Sequence, residues 1–156
     1  MLAAGDVAPD FSLPATGDQE TIALKDLKGT PVVLYFYPKD ATPGCTTEAK
    51  DFRDNLKEFE ALGVKVLGVS PDGIPSHERF TERQELNFPL LADEEKEAAN
   101  AYGVWQKKKN FGREYMGIVR STFLIGKDGK LLHVWPKVRV KGHVEDVLNV
   151  AKEKLS

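Results

Sequence analysis

The 156-residue chain has a single cysteine, Cys45, so no disulfide can form within it and no Cys-rich zinc site is possible. A Cys-x-x-Cys pair is absent, which excludes a dithiol oxidoreductase of the thioredoxin type. No apolar stretch reaches the length of a membrane span. The N-terminal "MLAAGDVAPDF" lacks the basic start and apolar run of a signal peptide, and with one cysteine this makes a cytoplasmic location the expectation. The formal net charge is only −2, so no overall charge draws the chain to nucleic acid or to an anionic membrane. The three histidines, His77, His133 and His143, lack metal-ligand spacing and read as surface or hydrogen-bonded residues, and no metal is expected. Internal repeats and low-complexity tracts are also lacking, and the expectation is one domain over residues 1–156.

What is present alternates between strand and helix signals. "PVVLYFYP" (Pro31–Pro38) is a continuous run of β-formers and reads as a buried central strand. Ala49, Phe52, Leu56, Phe59 and Leu62 then recur at helical spacing up to Gly63. "VKVLGVS" (Val64–Ser70) is a second buried strand. A helix is expected over 76–86, an extended piece at Pro89–Ala92 and a third helix over 94–102. "STFLIGKDGKLLHVW" places two apolar runs around Lys-Asp-Gly-Lys, a hairpin signal, and a helix over 144–155 closes the chain. This order implies an α/β fold with a mixed central sheet flanked by helices, and residues 1–30 as an N-terminal extension packed on one side. "QKKKNFGR" (Gln106–Arg113) is basic and reads as a solvated loop. "GKDGK" lacks the strand-to-helix context of a phosphate loop.

The cysteine sits in "YPKDATPGCTTEAK". Pro43 suits a first helical turn, and the Thr42 hydroxyl is a candidate N-cap acceptor for a free backbone amide. Cys45 then falls in that first turn, where unpaired N–H groups and the helix dipole favour a thiolate, the form that is nucleophilic and oxidisable. The competing reading is a buried, inert cysteine acting as a small hydrophobe.

"PKDATPGC" matches the Pro-x-x-x-Thr-x-x-Cys signature of the peroxiredoxins. With "FYPKDATPGCT", "NFPLLAD", "YGVW" and "STFLIGKDGK" in order along the chain, the sequence resembles the PrxQ, or bacterioferritin comigratory protein, subfamily. The resemblance implies a thioredoxin-like fold and a thiol-dependent peroxidase acting on hydrogen peroxide and organic hydroperoxides. It implies that Cys45 is the peroxidatic cysteine, that Thr42 holds the peroxide oxygens, and that Pro38 shields the site. It also implies that Arg120 sits against the thiolate and that Glu48 orients this arginine. On the residues alone, Arg120 reads as a strand-edge charge and Glu48 as a surface residue near a helix start. No cofactor is implied, because the oxidant is the substrate.

The chain departs from the subfamily pattern at the resolving cysteine. Its place five residues after Cys45 is Lys50, and the alternative place, on the next helix, falls around Thr81. A one-cysteine cycle is therefore expected, in which an external thiol (thioredoxin, glutaredoxin, glutathione or similar) reduces the sulfenic acid. A monomer or weak homodimer is expected. The alternative function is a sensor that does not turn over and relays Cys45 oxidation to a partner protein.

Overall fold

The computed structural model describes residues 2–155. Strand β1 (Ser12–Pro14) pairs antiparallel with β2 (Thr21–Ala23), and a 3-10 helix (Leu24–Leu27) follows. The N-terminal extension thus folds into a small hairpin. It packs Phe11, Leu13, Ile22 and Leu24 against one face of the main sheet, and Thr16 N–H donates to Leu90 O at 2.9 Å.

The main sheet is built from β3 (Val32–Phe36), β4 (Lys65–Ser70), β5 (Leu90–Ala92), β8 (Ser121–Ile125) and β9 (Leu131–Trp135). Its order is β5-β4-β3-β8-β9, parallel between β3, β4 and β5 and antiparallel from β3 through β8 to β9. Every residue of β3 is buried, as its unbroken apolar run requires of a strand covered on both faces. Helices α1 (Pro43–Ala61), α2 (Ile74–Gln84), α3 (Glu97–Ala101) and α4 (His143–Leu155) connect and flank the strands.

Two apolar cores lie on the two sides of the sheet. One gathers Val32, Leu34 and Phe36 of β3 with Tyr102, Phe123 and the N-terminal hairpin. The other gathers Val33, Tyr35 and Tyr37 with Phe52 and Phe59 of α1 and Val147 of α4. Burying one such aromatic side chain contributes about 2–3 kcal/mol, and the face of α1 that does so is the one its helical spacing specifies. Helix α1 ends on Gly63, whose φ of +75° places it in the left-handed region. Gly63 N–H then donates to Glu60 O at 2.9 Å and Val64 N–H to Phe59 O at 3.0 Å, closing the helix in a Schellman motif.

Two expectations are corrected. The third helix is shorter than residues 94–102, because the Asp93 carboxylate accepts from Ala98 N–H at 3.2 Å and Ala99 N–H at 2.8 Å and so sets its start. The stretch 106–113 is not a loop. It belongs to a two-stranded ribbon, β6 (Trp105–Asn110) paired with β7 (Arg113–Ile118). Phe111 and Gly112 turn it with φ of +52° and +76°, the positive values of a two-residue hairpin turn.

Candidate active site

Helix α1 begins where β3 ends, so its first turn stands at the carboxyl edge of the central strand, where open α/β sheets favour their sites. The first helical amide bond is Thr46 N–H to Thr42 O at 2.8 Å. The amides of Gly44 and Cys45 lie ahead of it, among the donors that a helix start leaves free.

Cys45 is only 2% exposed, yet a cationic side chain reaches its sulfur. Arg120 Nη2 donates to its Sγ at 3.3 Å, and Nη1 of the same guanidinium donates to Glu48 Oε1 at 2.6 Å. Arg120 lies just ahead of β8, which pairs with β3, and this pairing carries the arginine across to α1. Glu48 is one turn beyond Cys45 and fully buried, which overturns its reading as a surface residue. Likewise Arg120, with its two partners, is not a free strand-edge charge.

The electrostatics of this triad are lopsided. Burial pushes the Glu48 carboxyl up to about 7, against the pull of Arg120. Its Oε2 is buried with no hydrogen-bond donor, which explains why burial prevails. Arg120 is held above the ordinary arginine value: burial opposes its charge, but Glu48 and Cys45 together outweigh burial. The guanidinium, in contact with both Glu48 and Cys45, is the fixed charge of the site.

Gly44 was not singled out from the sequence. A Cβ there would stand 3.2 Å from Arg120 Nη2, so a side chain at this position would press on the guanidinium that reaches Cys45. The available signal was a glycine inside a helix, which costs about 1 kcal/mol relative to alanine and so calls for a reason.

Thr42 is the N-cap residue, but its hydroxyl does not accept from a helix amide. Instead Oγ1 donates to Lys39 O at 2.8 Å, because the chain folds back over Lys39–Thr42. The oxygen lone pairs remain as acceptors for a ligand hydrogen. Pro38 is half-buried at the start of this loop. Cys45, Glu48 and Arg120 are therefore in direct contact, while Thr42 and Pro38 lie on the segment leading into the helix.

That segment is anchored by a group that sequence reasoning missed. Asp40 is buried and accepts from Tyr37 OH at 2.6 Å and Ser76 Oγ at 2.8 Å. His77 Nδ1 is hydrogen-bonded to Asp40 Oδ2 at 2.7 Å, and its Nε2 donates to Leu91 O at 2.9 Å. Burial acts to raise the Asp40 carboxyl, but hydrogen bonds from His77 and Tyr37 outweigh it and hold the group below its ordinary value. Asp40 N–H donates to Asp72 Oδ2 at 2.8 Å, fastening the backbone as well. Ala41, next along, is held at a φ of +65°, a conformation that alanine adopts only under such constraint. Asp40, Asp72 and His77 are close enough together to hold a cation, but their facing atoms are already engaged in these hydrogen bonds. His77 is thus a satisfied buried histidine.

A profile of the AhpC/TSA family matches residues 4–134. The chain belongs to that family. It is 54% identical over 150 residues to peroxiredoxin Bcp of Bacillus subtilis, covering 96% of this chain and 94% of the relative. To peroxiredoxin Bcp of Escherichia coli it is 47% identical over 152 residues, covering 97% of each. The bacterioferritin comigratory protein of Xanthomonas campestris, whose structure was described for its alkyl peroxide reduction activity, superposes with a TM-score of 0.92 at 39% identity. That match covers 98% of this chain and 99% of that one. Peroxidoxin BcpB of Mycobacterium tuberculosis superposes with a TM-score of 0.87 at 34% identity over the full length of both. This peroxiredoxin has the thioredoxin-like fold expected of the Bcp/PrxQ group, and its single cysteine is that of the one-cysteine type. Lys50 is exposed on α1 and Thr81 lies on α2, and neither supplies a second thiol.

Proposed function

We propose that this peroxiredoxin reduces hydrogen peroxide and small organic hydroperoxides through a Cys45 sulfenic acid, which an external thiol then reduces. The observation that carries this reading is the Arg120 guanidinium bridging Cys45 Sγ and Glu48 Oε1 at the start of α1. The Cys45 thiolate attacks one peroxide oxygen, so that the S–O bond forms as the O–O bond breaks. The leaving oxygen departs as hydroxide or alkoxide and takes a proton to become water or alcohol. Negative charge moves from sulfur to that oxygen, and donors already in place stabilise it with little reorganisation. Arg120 and the free amides of the first turn are these donors. Thr42 Oγ1 accepts the peroxide hydrogen, Glu48 holds Arg120, and Pro38 limits water at the loop. A thiolate from the reductant then attacks the Cys45 sulfenic sulfur; the S–S bond of a mixed disulfide forms as the S–O bond breaks, and the departing hydroxide takes a proton from solvent to become water. A second thiolate displaces Cys45, so the thiol pair is oxidised and Cys45 returns as thiolate.

The test is intact-mass analysis after one equivalent of hydrogen peroxide. Cys45 gains one oxygen, the adduct persists until dithiothreitol is added, and excess peroxide carries it on to sulfinic acid. Rapid loss of the adduct with no thiol, no linked dimer and no over-oxidation would overturn the one-cysteine cycle. Sustained peroxide consumption with thiol marks an enzyme, whereas a single event per chain is the result a sensor requires. No observation favours the sensor.

A further inference from the structure

The ribbon β6–β7 forms its own two-stranded sheet, apart from the main one. Its base is held by Ile118 and Trp105 against the core. The rest extends outward, and six residues per strand give it a reach of about 20 Å. Four large apolar side chains stand exposed among the described residues: Val7, Phe111, Tyr115 and Met116. Three of these are on this ribbon, with Phe111 at its tip 96% exposed. A two-stranded ribbon is marginally stable in water, and nothing in the fold requires apolar side chains at its far end.

Charge is gathered along the ribbon and beside its base. The ribbon carries Lys107, Lys108, Lys109 and Arg113 against one anion, Glu114. The segment 136–142 adds Lys137, Arg139 and Lys141, all exposed. Both pieces border Arg120. Strand β7 ends two residues before it, and Val138 N–H donates to Arg120 O at 2.9 Å. Lys108 Nζ donates to Ile118 O at 2.9 Å, and burial and then Arg120 hold this lysine below its ordinary range, against the pull of Cys45. The whole chain has a net charge of −2, so the excess of cations here is offset by an excess of acidic residues elsewhere in the sequence.

We infer that the cationic rim around Arg120 and the apolar end of the β6–β7 ribbon together form the docking surface for a protein thiol with an acidic, partly apolar face. This rests on the peroxidase cycle proposed above, in which Cys45 has no partner thiol in its own chain. Complementary charge selects the sign of the partner and speeds its encounter. Size selects a protein. A tripeptide thiol spans at most about 10 Å, about half the length of the ribbon that carries Phe111 away from its base beside Arg120. Exposed aromatic and methionine side chains are also what protein interfaces are enriched in.

The experiment separates the two half-reactions in stopped flow. Cys45 is first oxidised with one equivalent of peroxide, then mixed with an acidic thioredoxin, with glutathione or with uncharged dithiothreitol, at low and high salt. Lys107→Gln with Lys109→Gln and Phe111→Ser tests the ribbon. Lys137→Glu with Arg139→Glu tests the rim without touching the ribbon, in case ribbon substitutions unfold it. For thioredoxin, each variant is expected to lower the second-order rate constant by about tenfold, and salt by a similar factor. The oxidation step and reduction by dithiothreitol are expected to stay unchanged. Thioredoxin rates that ignore salt and both variants, or that do not exceed those of dithiothreitol, would overturn the assignment. Glutathione matching thioredoxin with the same salt dependence would hand the rim to a small anion. A wild-type dimer that the Phe111 variant abolishes would hand the surface to a second copy of the chain; either outcome defeats the proposal. Failure of dithiothreitol to restore the thiol would instead strike the peroxidase cycle, and the docking surface with it.

Discussion

Replacing Arg120 by Met removes both hydrogen bonds of the guanidinium, at 3.3 Å to Cys45 Sγ and 2.6 Å to Glu48 Oε1, while keeping a long apolar stem. Two consequences follow and can be separated. A hydrogen bond to a charged group contributes about 1.5–3 kcal/mol. Losing the one to the thiolate should therefore slow reaction with peroxide by roughly ten- to a hundredfold, at 1.36 kcal/mol per factor of ten. Glu48, fully buried and with Oε2 already lacking a donor, is at the same time left without its counter-charge. Breaking a buried pair from one side costs about 3–5 kcal/mol, a large share of the roughly 5–15 kcal/mol that holds a domain folded. The double variant Arg120→Met with Glu48→Gln removes that uncompensated charge. Most of the lost stability should return in a urea melt, while the stopped-flow rate with hydrogen peroxide stays low. If the double variant reacts within about threefold of wild type, the guanidinium does not act on the sulfur and the electrostatic reasoning fails.

Thr42→Val keeps the branched shape and removes the hydroxyl. Reaction with peroxide should fall by about a hundredfold or more while alkylation by iodoacetamide changes little; equal losses would mean that only the helix start is disturbed. Gly44→Ala should stabilise α1 by up to about 1 kcal/mol by propensity but slow peroxide reduction, because its Cβ presses on Arg120 Nη2 from 3.2 Å. A gain in melting temperature with full activity would remove Gly44 from the site. Glu48, raised from 4.5 to about 7 in the fold, contributes stability that is complete below about pH 4.5 and is lost as pH rises through 7. His143 runs the other way. Burial lowers it from 6.5 to about 4, so its contribution is complete above pH 6.5 and is lost as pH falls through 4. In melts across this range, Glu48→Gln should gain on wild type as pH rises from 4.5 to 7, and His143→Gln should lose less than wild type below pH 6.5. Parallel curves for all three proteins would contradict both assignments.

The alternation of strands and helices was legible in the chain itself. An unbroken β-forming run such as Val32–Phe36, short and bounded by Gly and Pro, reads as a covered strand, and the spacing of Phe52, Leu56 and Phe59 puts them on one face of a helix. Cys45 in a first helical turn followed from Thr42 and Pro43, which act within a few residues. The ribbon escaped notice because its strands carry lysines instead of an apolar pattern, and its turn is Phe-Gly in place of the usual Asn-Gly. The site itself was decided elsewhere. Arg120 lies 75 residues from Cys45 and meets it only because β8 pairs with β3. The same tertiary packing buries Glu48, raises its carboxyl and leaves Oε2 without a donor. It also brings His77 to Asp40 across 37 residues, which pins the loop that carries Thr42. Propensity and periodicity act over a few residues and so can be read along the chain. The environment of a charge depends on which distant surfaces close over it, and only the folded structure supplies that.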